Sequence, residues 1–255
     1  MSMDNRRARL LEYLRANGKT SVNDLADIFE TSGATIRSDL RALENQGLLI
    51  RRYGSAEATT PGHSSEDRSM DEKQTLNLDA KSKIAQRAVD FVADGDSIIL
   101  DCGSTTLQMV HHLERIMELT LMTNSMHIVN ALSHLEAEHT VLMPGGTYRR
   151  KSASFHGNVA ERAFQKFSFD KLFIGADGFD LMQGTTTYNE AYQVSQAMCQ
   201  AANQIIVVTD SSKFGRRSPN VVVPLEKIDV VITDSGIAED DIRYLESHDI
   251  QVVLV

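Results

Sequence analysis

After Gly95 the chain falls into short β-rich runs, each ending in polar or glycine-rich residues, and this pattern restricts the fold more than any other feature. The runs are SIILDCGSTT (97–106), LTLMTNS (119–125), HTVLMPGG (139–146), KLFIGADG (171–178), QIIVVTDSS (204–212), DVVITDSG (229–236) and QVVLV (251–255). Helical stretches such as LQMVHHLERI, MHIVNALSHLE and NEAYQVSQAMCQAA fill most of the gaps. Buried β-branched runs alternating with helices predict a largely parallel sheet in an α/β fold. Ligands of such folds bind outside the carboxyl ends of the strands, where the polar tails fall.

Three of those tails suit a phosphate. Asp101, Gly103, Ser104 and Thr105 lie between a strand and a helix beginning near Leu107, where N–H groups, hydroxyls and the helix dipole favour an anion. The plainer reading is an ordinary helix cap. Asn124 sits in a similar Thr-Asn-Ser turn, and Gly145 and Gly146 give close backbone approach at a third strand end, with Lys151 a few residues on. Further along, Asp177 ends a strand, Glu190 opens a helix and Lys213 follows a Thr-Asp-Ser-Ser turn. Carboxylates accept hydrogen bonds from sugar hydroxyls, and lysine neutralises phosphate. A turn former, a helix-end acid and a surface cation are equally good readings of those three residues.

Other chemistries find less support. The eight histidines show no metal-ligand spacing. Cys102 precedes a helix N-terminus, which would lower its pKa, but no positioned histidine is evident, and a small strand-end residue is the better reading. The sequence therefore leads to no catalytic residue, metal or cofactor.

Ahead of this region, residues 21 to 54 read as a winged helix-turn-helix. Val22, Leu25, Ala26 and Phe29 have helical spacing, as do Ile36, Leu40 and Leu43, and Ser21 and Ser32 are good N-caps. With the second set turned inward, Ala34, Ser38 and Arg41 fall on the opposite face, with Thr35 and Arg37 on its flanks. Such a helix fits a major groove, where side chains reach base edges. Arg51, Arg52 and Tyr53 would form the wing behind it. A helical hairpin that merely caps a larger domain is the bland alternative.

The 255 residues allow one small and one full-sized domain. We place a DNA-binding domain at 1–56, a linker at 57–75, where the sequence is polar, contains Pro61-Gly62 and loses periodicity, and a second domain at 76–255. A helix with Ile84, Ala88, Phe91 and Val92 on one face opens the second domain. The net charge of -9 divides unevenly: residues 1–60 carry nine Lys/Arg against eight Asp/Glu, so the acidic surplus lies elsewhere. A domain that weakly basic attracts phosphate only through local clustering, which implies a working oligomer. Two distant cysteines, no apolar run long enough to span a bilayer and no secretion signal at the N-terminus lead to a cytoplasmic expectation.

SVNDLADIFETSGATIRSDLRALENQGLLIRRYG, with ILDCGSTT, MTNS, MPGGTYRRKSASFHG, DKLFIGADGFD and VTDSSKFGRRS, resembles the DeoR family of bacterial sugar-metabolism repressors over nearly the full length. One departure is Ser55 after Gly54, where the family's wing usually has two glycines. The resemblance implies a winged helix-turn-helix joined to a ribose-5-phosphate-isomerase-like, mainly parallel α/β sensor. It also implies operator DNA and a phosphorylated sugar or sugar alcohol as partners, with homo-oligomerisation. Ligand contacts would fall on Asp101, Gly103, Ser104, Thr105, Asn124, Gly145, Gly146, Lys151, Asp177, Glu190 and Lys213. MTNSMHIVNALS and DSSKFGRRSPN are most like the glucitol branch, implying D-glucitol 6-phosphate as inducer. The amino-sugar and tagatose branch is the nearest alternative, and a sugar-phosphate isomerase with a fused helical domain is the enzymatic one.

Overall fold

All seven β-rich runs after Gly95 are strands of one parallel sheet. The structure is a computed structural model that describes residues 3–45, 48–52, 54–58, 69–189 and 193–255. It divides into two compact units, Met1–His63 and Ser64–Val255.

In the first unit, α1 (Met3–Asn17), β1 (Thr20–Ser21), α2 (Val22–Ile28) and α3 (Gly33–Asn45) precede the hairpin of β2 (Leu49–Arg52) and β3 (Ser55–Ala58). Leu10, Leu11 and Leu14 of α1, Val22 and Leu25 of α2, and Ile36, Leu40 and Leu43 of α3 are buried together with Leu49 and Ala56. The helical period expected on α2 and α3 is therefore the one that builds this core, and α1 adds Leu10, Leu11 and Leu14 to it. Ser21 caps α2 by accepting from the Asp24 N–H at 3.1 Å. The strand order is β1-β3-β2, and Arg52 pairs with Ser55 across the turn that contains Gly54. Gly54 has φ +74°, a conformation that favours glycine, and Ser55 already lies in the returning strand.

The second unit opens with α4 (Met70–Thr75) and α5 (Leu78–Val89). There follow β4 (Ser97–Leu100), α6 (Ser104–Val110), β5 (Thr120–Met122), α7 (Met126–Leu132), β6 (Thr140–Leu142), β7 (Thr147–Arg149), β8 (Ser154–His156) and α8 (Asn158–Phe164). Then come β9 (Phe169–Ile174), β10 (Gly178–Asp180), β11 (Gly184–Thr187), α9 (Gln193–Gln200), β12 (Ala202–Val208) and β13 (Asn220–Val223). The chain ends with β14 (Val230–Thr233), α10 (Glu239–Glu246) and β15 (Gln251–Leu254).

Both ends of the stretch expected as linker, 57–75, are regular structure. Residues 57 and 58 belong to β3, and 70–75 form α4. Ser69 and Glu72 start α4 with a reciprocal capping box: the Glu72 N–H donates to Ser69 Oγ and the Ser69 N–H donates to Glu72 Oε2.

The large sheet has the order β15-β14-β12-β9-β4-β5-β6. Its strands bury both faces. Ile98 and Leu100 of β4 join α5, α6 and α7 in one core, while Ile99 joins α8, α9 and α10 in another. The strand sequence runs outward in one direction from β4 through β5 and β6, and in the other from β9 through β12, β14 and β15. The order thus reverses between β4 and β9, and the crevice at their carboxyl ends is where such sheets hold ligands. Two small antiparallel sheets, β7-β8 and β10-β11-β13, complete the unit.

Candidate functional site

The two central strand ends approach closely because both loops carry glycine. A Cβ on Gly103 would lie 3.6 Å from the Gly175 Cα. Asp101 leaves β4 beside this contact, its N–H donating to the Phe173 carbonyl at 3.0 Å. Thr106 Oγ1 donates to the carbonyl oxygens of Asp101 and Gly103 at 2.6 and 2.8 Å, which closes the loop against α6. Ser104 and Thr105 are buried in the first turn of α6, and Gly103 is its N-cap.

Asp177 follows β9 and receives Lys73 Nζ at 2.5 Å and Thr187 Oγ1 at 2.7 Å. Burial alone would push its carboxyl up. The charges of Lys73 and Lys213 and the two hydrogen bonds outweigh burial and hold it at about 2. Asp101 goes the other way: burial, reinforced by the Asp177 charge and opposed by Cys102 and Lys73, pushes it up to about 6. Lys213 ends a short 3-10 turn, Ser211–Lys213, after β12. Burial lowers its pKa against the opposing pull of Asp210 and Asp177, while Arg216 and Lys73 lower it further. Asp210 is held below its usual range, because Lys213, Ser212, Lys81 and Asn77 outweigh its burial.

Asp177 interacts electrostatically with both Asp101 and Lys213, so the three form one cluster at the switch point. Asn124 lies at the end of the neighbouring strand β5, 1% exposed, with Nδ2 donating to the Phe155 carbonyl at 3.0 Å. Gly145 and Gly146 have φ +69° and +110°, and a Cβ at Gly146 would meet the His156 carbonyl oxygen at 2.6 Å. Lys151 is exposed between β7 and β8, and its carbonyl accepts the Met70 N–H at 2.9 Å. Glu190 lies outside the described residues. The Cys102 thiol is pushed up by burial and by Asp101, the opposite of the shift expected from a helix N-terminus.

Three contributors come from the stretch read as linker and from the helix behind it. Lys73 reaches Asp177, Asn77 Nδ2 donates to Asp210 Oδ1 at 2.8 Å, and the buried Lys81 donates to the Lys73 carbonyl at 2.5 Å. The Ser-Met-Asp-Glu capping signature at 69–72 was the readable sign that a helix begins there. An open groove of about 640 Å³, lined by Leu119, Val129, Leu135 and Val141, lies at the amino-terminal ends of β5 and β6, the wrong end of the sheet for this site.

In the first unit Ala34, Arg37, Ser38 and Arg41 are exposed on α3, opposite Ile36, Leu40 and Leu43, and Thr35 is half-buried. Ser32 Oγ accepts the Thr35 N–H at 3.1 Å and caps the helix. Arg51 is engaged within the unit: its Nε donates to Glu44 Oε2 at 2.6 Å and its N–H to Glu44 Oε1 at 3.1 Å. The Arg52 side chain and Tyr53 lie outside the described residues. Asp39, absent from the sequence reading, is 1% exposed and accepts from Arg6 and Arg7 of α1 at 2.5 and 3.0 Å. It lies three residues after Ile36, on the flank of the buried stripe, and that spacing was its only signal.

Comparison with known proteins agrees with both units. Residues 6–61 match the DeoR-like helix-turn-helix domain and residues 76–235 match the DeoR C terminal sensor domain. A putative aga operon transcriptional repressor from Escherichia coli O157:H7 is 41% identical over 98% of this chain and 93% of its own. The HTH-type transcriptional regulator GlpR from Haloferax volcanii is 34% identical over 97% of this chain and 96% of its own. Among solved structures, ribose 5-phosphate isomerase A from Methanocaldococcus jannaschii aligns with a TM-score of 0.39 at 20% identity, covering 54% of this chain and 55% of that one. With both domains matched in order and relatives aligned from end to end, the chain belongs to the DeoR family of transcriptional regulators.

Proposed function

We propose that this protein represses a sugar or sugar-alcohol catabolic operon and leaves its operator when a phosphorylated inducer binds at the carboxyl ends of β4, β5 and β9. The observation that carries this reading is the lysine-rich cluster at the switch point. Lys73 and Lys213 act there on Asp177, and an incoming phosphate is a stronger acceptor for both lysines than a shared carboxylate. Arg37, Ser38 and Arg41 would read the operator, with Ala34 and Thr35 lying along the groove and Ser32 at the helix N-terminus near phosphate. Arg51, Arg52 and Tyr53 would supply the wing.

The position of Lys73 also supplies a route for control. It belongs to α4, the first described helix after β3, and α4 and the turn behind it are tied to the site through Asp177, Asp210 and the Lys151 carbonyl. A phosphate that draws Lys73 from Asp177 would move the segment through which the second unit is joined to the first. Ligand and operator are then linked by the difference in ligand affinity between the two arrangements, typically about 1–3 kcal/mol. A homo-oligomer would present two or more such helices to operator half-sites.

D-Glucitol 6-phosphate is the first inducer to test. A second reading, an amino-sugar phosphate, is favoured by the 41% identity with the relative named as a putative aga operon repressor. An isomerase, with Asp177 or Glu190 as its base, is disfavoured because the relatives of this chain are named as transcriptional regulators and repressors. Calorimetry of the full chain against D-glucitol 6-phosphate, D-galactosamine 6-phosphate and D-tagatose 6-phosphate tests the assignment. Saturable binding of one of them, lost in Lys213→Ala, is the expected result. Equal, unsaturable heats from all three would overturn it.

A further inference from the structure

Two buried acceptors in the site point toward a ligand feature other than phosphate. Among the described residues, Asp101 Oδ1 and Asn124 Oδ1 are buried side-chain oxygens that accept no hydrogen bond. Both side chains are held by their surroundings. The Asn124 Nδ2 donates to the Phe155 carbonyl, which leaves Oδ1 as the unmatched atom of the amide, and the Asn124 carbonyl receives the Phe155 N–H at 2.9 Å. The Asp101 main chain is fixed by its N–H on the Phe173 carbonyl and its carbonyl on Thr106 Oγ1, and Cys102 hydrogen-bonds to its carboxyl group.

Their placement is in register. β4 and β5 are parallel, with Ile98 beside Leu121 and Ile99 beside Met122, and continuing that pairing by two residues sets Asp101 beside Asn124. Partners in a parallel pair point to the same face and sit one strand spacing apart, about 4.8 Å. A carboxylate and an amide oxygen at that spacing match two donors on adjacent carbons, each at an ordinary O–H···O distance. A carbonyl or a phosphate oxygen offers no donor to either.

We infer that Asp101 and Asn124 form a paired-acceptor end of the site, which reads two neighbouring hydroxyl groups on the carbon chain of the effector. This rests on the proposed phosphorylated inducer and narrows its class to one with an unmodified vicinal diol. A site built to accept from hydroxyls discriminates strongly against an analogue lacking one, because the buried acceptor is then left unmatched.

The test is calorimetry of the full-length wild-type protein with D-glucitol 6-phosphate and its monodeoxy derivatives, followed by Asp101→Ala and Asn124→Ala. Loss of either of two adjacent hydroxyls should weaken binding about tenfold or more in the wild type. Asp101→Ala should abolish the penalty at one position and Asn124→Ala at its neighbour. Binding of the parent compound with a flat profile across the deoxy series would overturn the inference while leaving the inducer assignment standing. So would penalties that persist unchanged in both variants. Failure of the wild type to bind the parent or any other phosphorylated sugar would overturn the inducer assignment itself. The wild-type deoxy series decides the matter even if a variant does not fold.

Discussion

Lys73 Nζ donates to Asp177 Oδ1 at 2.5 Å across 104 positions of sequence, so the first helix of the second unit is held by the end of its central strand β9. Hydrogen bonds to charged groups are worth about 1.5–3 kcal/mol, and under the proposed inducer site a phosphate would compete for the same ammonium. Lys73→Met should therefore weaken inducer binding by about tenfold or more and, because it frees α4 from Asp177 as the inducer would, lower operator affinity as well, and Lys73→Arg should restore part of both losses. Calorimetry and operator titration of both variants check this. Unchanged inducer affinity in Lys73→Met would remove Lys73 from the site.

Asp101 sets a pH dependence of known sign. Its pKa rises from 3.8 to about 6 on folding, so between those values the folded state binds more protons and stability increases as pH falls. Asp177, depressed to about 2, contributes stability at neutral pH that is lost only as pH falls through its lower range. Asp101→Asn should stabilise the protein by about 1–3 kcal/mol at neutral pH, a gain that vanishes toward pH 4. Urea unfolding at the two pH values measures it, and an equal gain at both would contradict the assignment.

The first unit depends on Asp39. This buried carboxylate joins α3 to α1 through Arg6 and Arg7, whose side chains still reach solvent. Asp39→Ala leaves two arginines that water can partly satisfy, so the expected cost is about 1–3 kcal/mol rather than the larger penalty of stranding a buried charge. Thermal unfolding of the full chain should show an earlier transition that operator DNA shifts back upward. A melting profile identical to the wild type would show that the pair contributes nothing.

Arg41 and Arg51 should separate in their effects on DNA. Arg41 is exposed on the outer face of α3, whereas Arg51 is bonded to Glu44. If Arg41 contacts a guanine, Arg41→Ala costs about 1–3 kcal/mol and relaxes sequence preference there, while Arg51→Ala weakens all sequences alike. Operator titrations with single-base variants distinguish the two. Unchanged affinity and preference in Arg41→Ala would remove it from the readout.

The legibility of this chain follows the length of its patterns. The seven sheet strands were readable because each is an apolar run closed by a polar tail, and the winged helix because α2 and α3 share one apolar period. The hairpin β7-β8 was not, since strands of three residues carry no period. Nor was α4, six residues long and polar, although Ser69 and Glu72 mark its start. That hides Lys73, because a lysine in an aperiodic stretch looks like solvated linker; Lys81 lies in the helix that the spacing does mark, but nothing in that spacing ties it to the Lys73 carbonyl. Asp101, Asp177 and Lys213 were readable individually as strand-end residues. Their opposite pKa shifts were not, because those depend on burial and on charges contributed by distant segments.

The central claim is that the strand-end cluster and the operator-reading helix are energetically linked. It is tested most directly by anisotropy titration of the full-length protein on a labelled fragment of the promoter it controls, with and without saturating D-glucitol 6-phosphate. The account expects the inducer to weaken operator affinity by about 5–150-fold, and operator DNA to weaken inducer affinity by the same factor. An inducer that binds the protein by calorimetry but leaves the operator titration unmoved would contradict it.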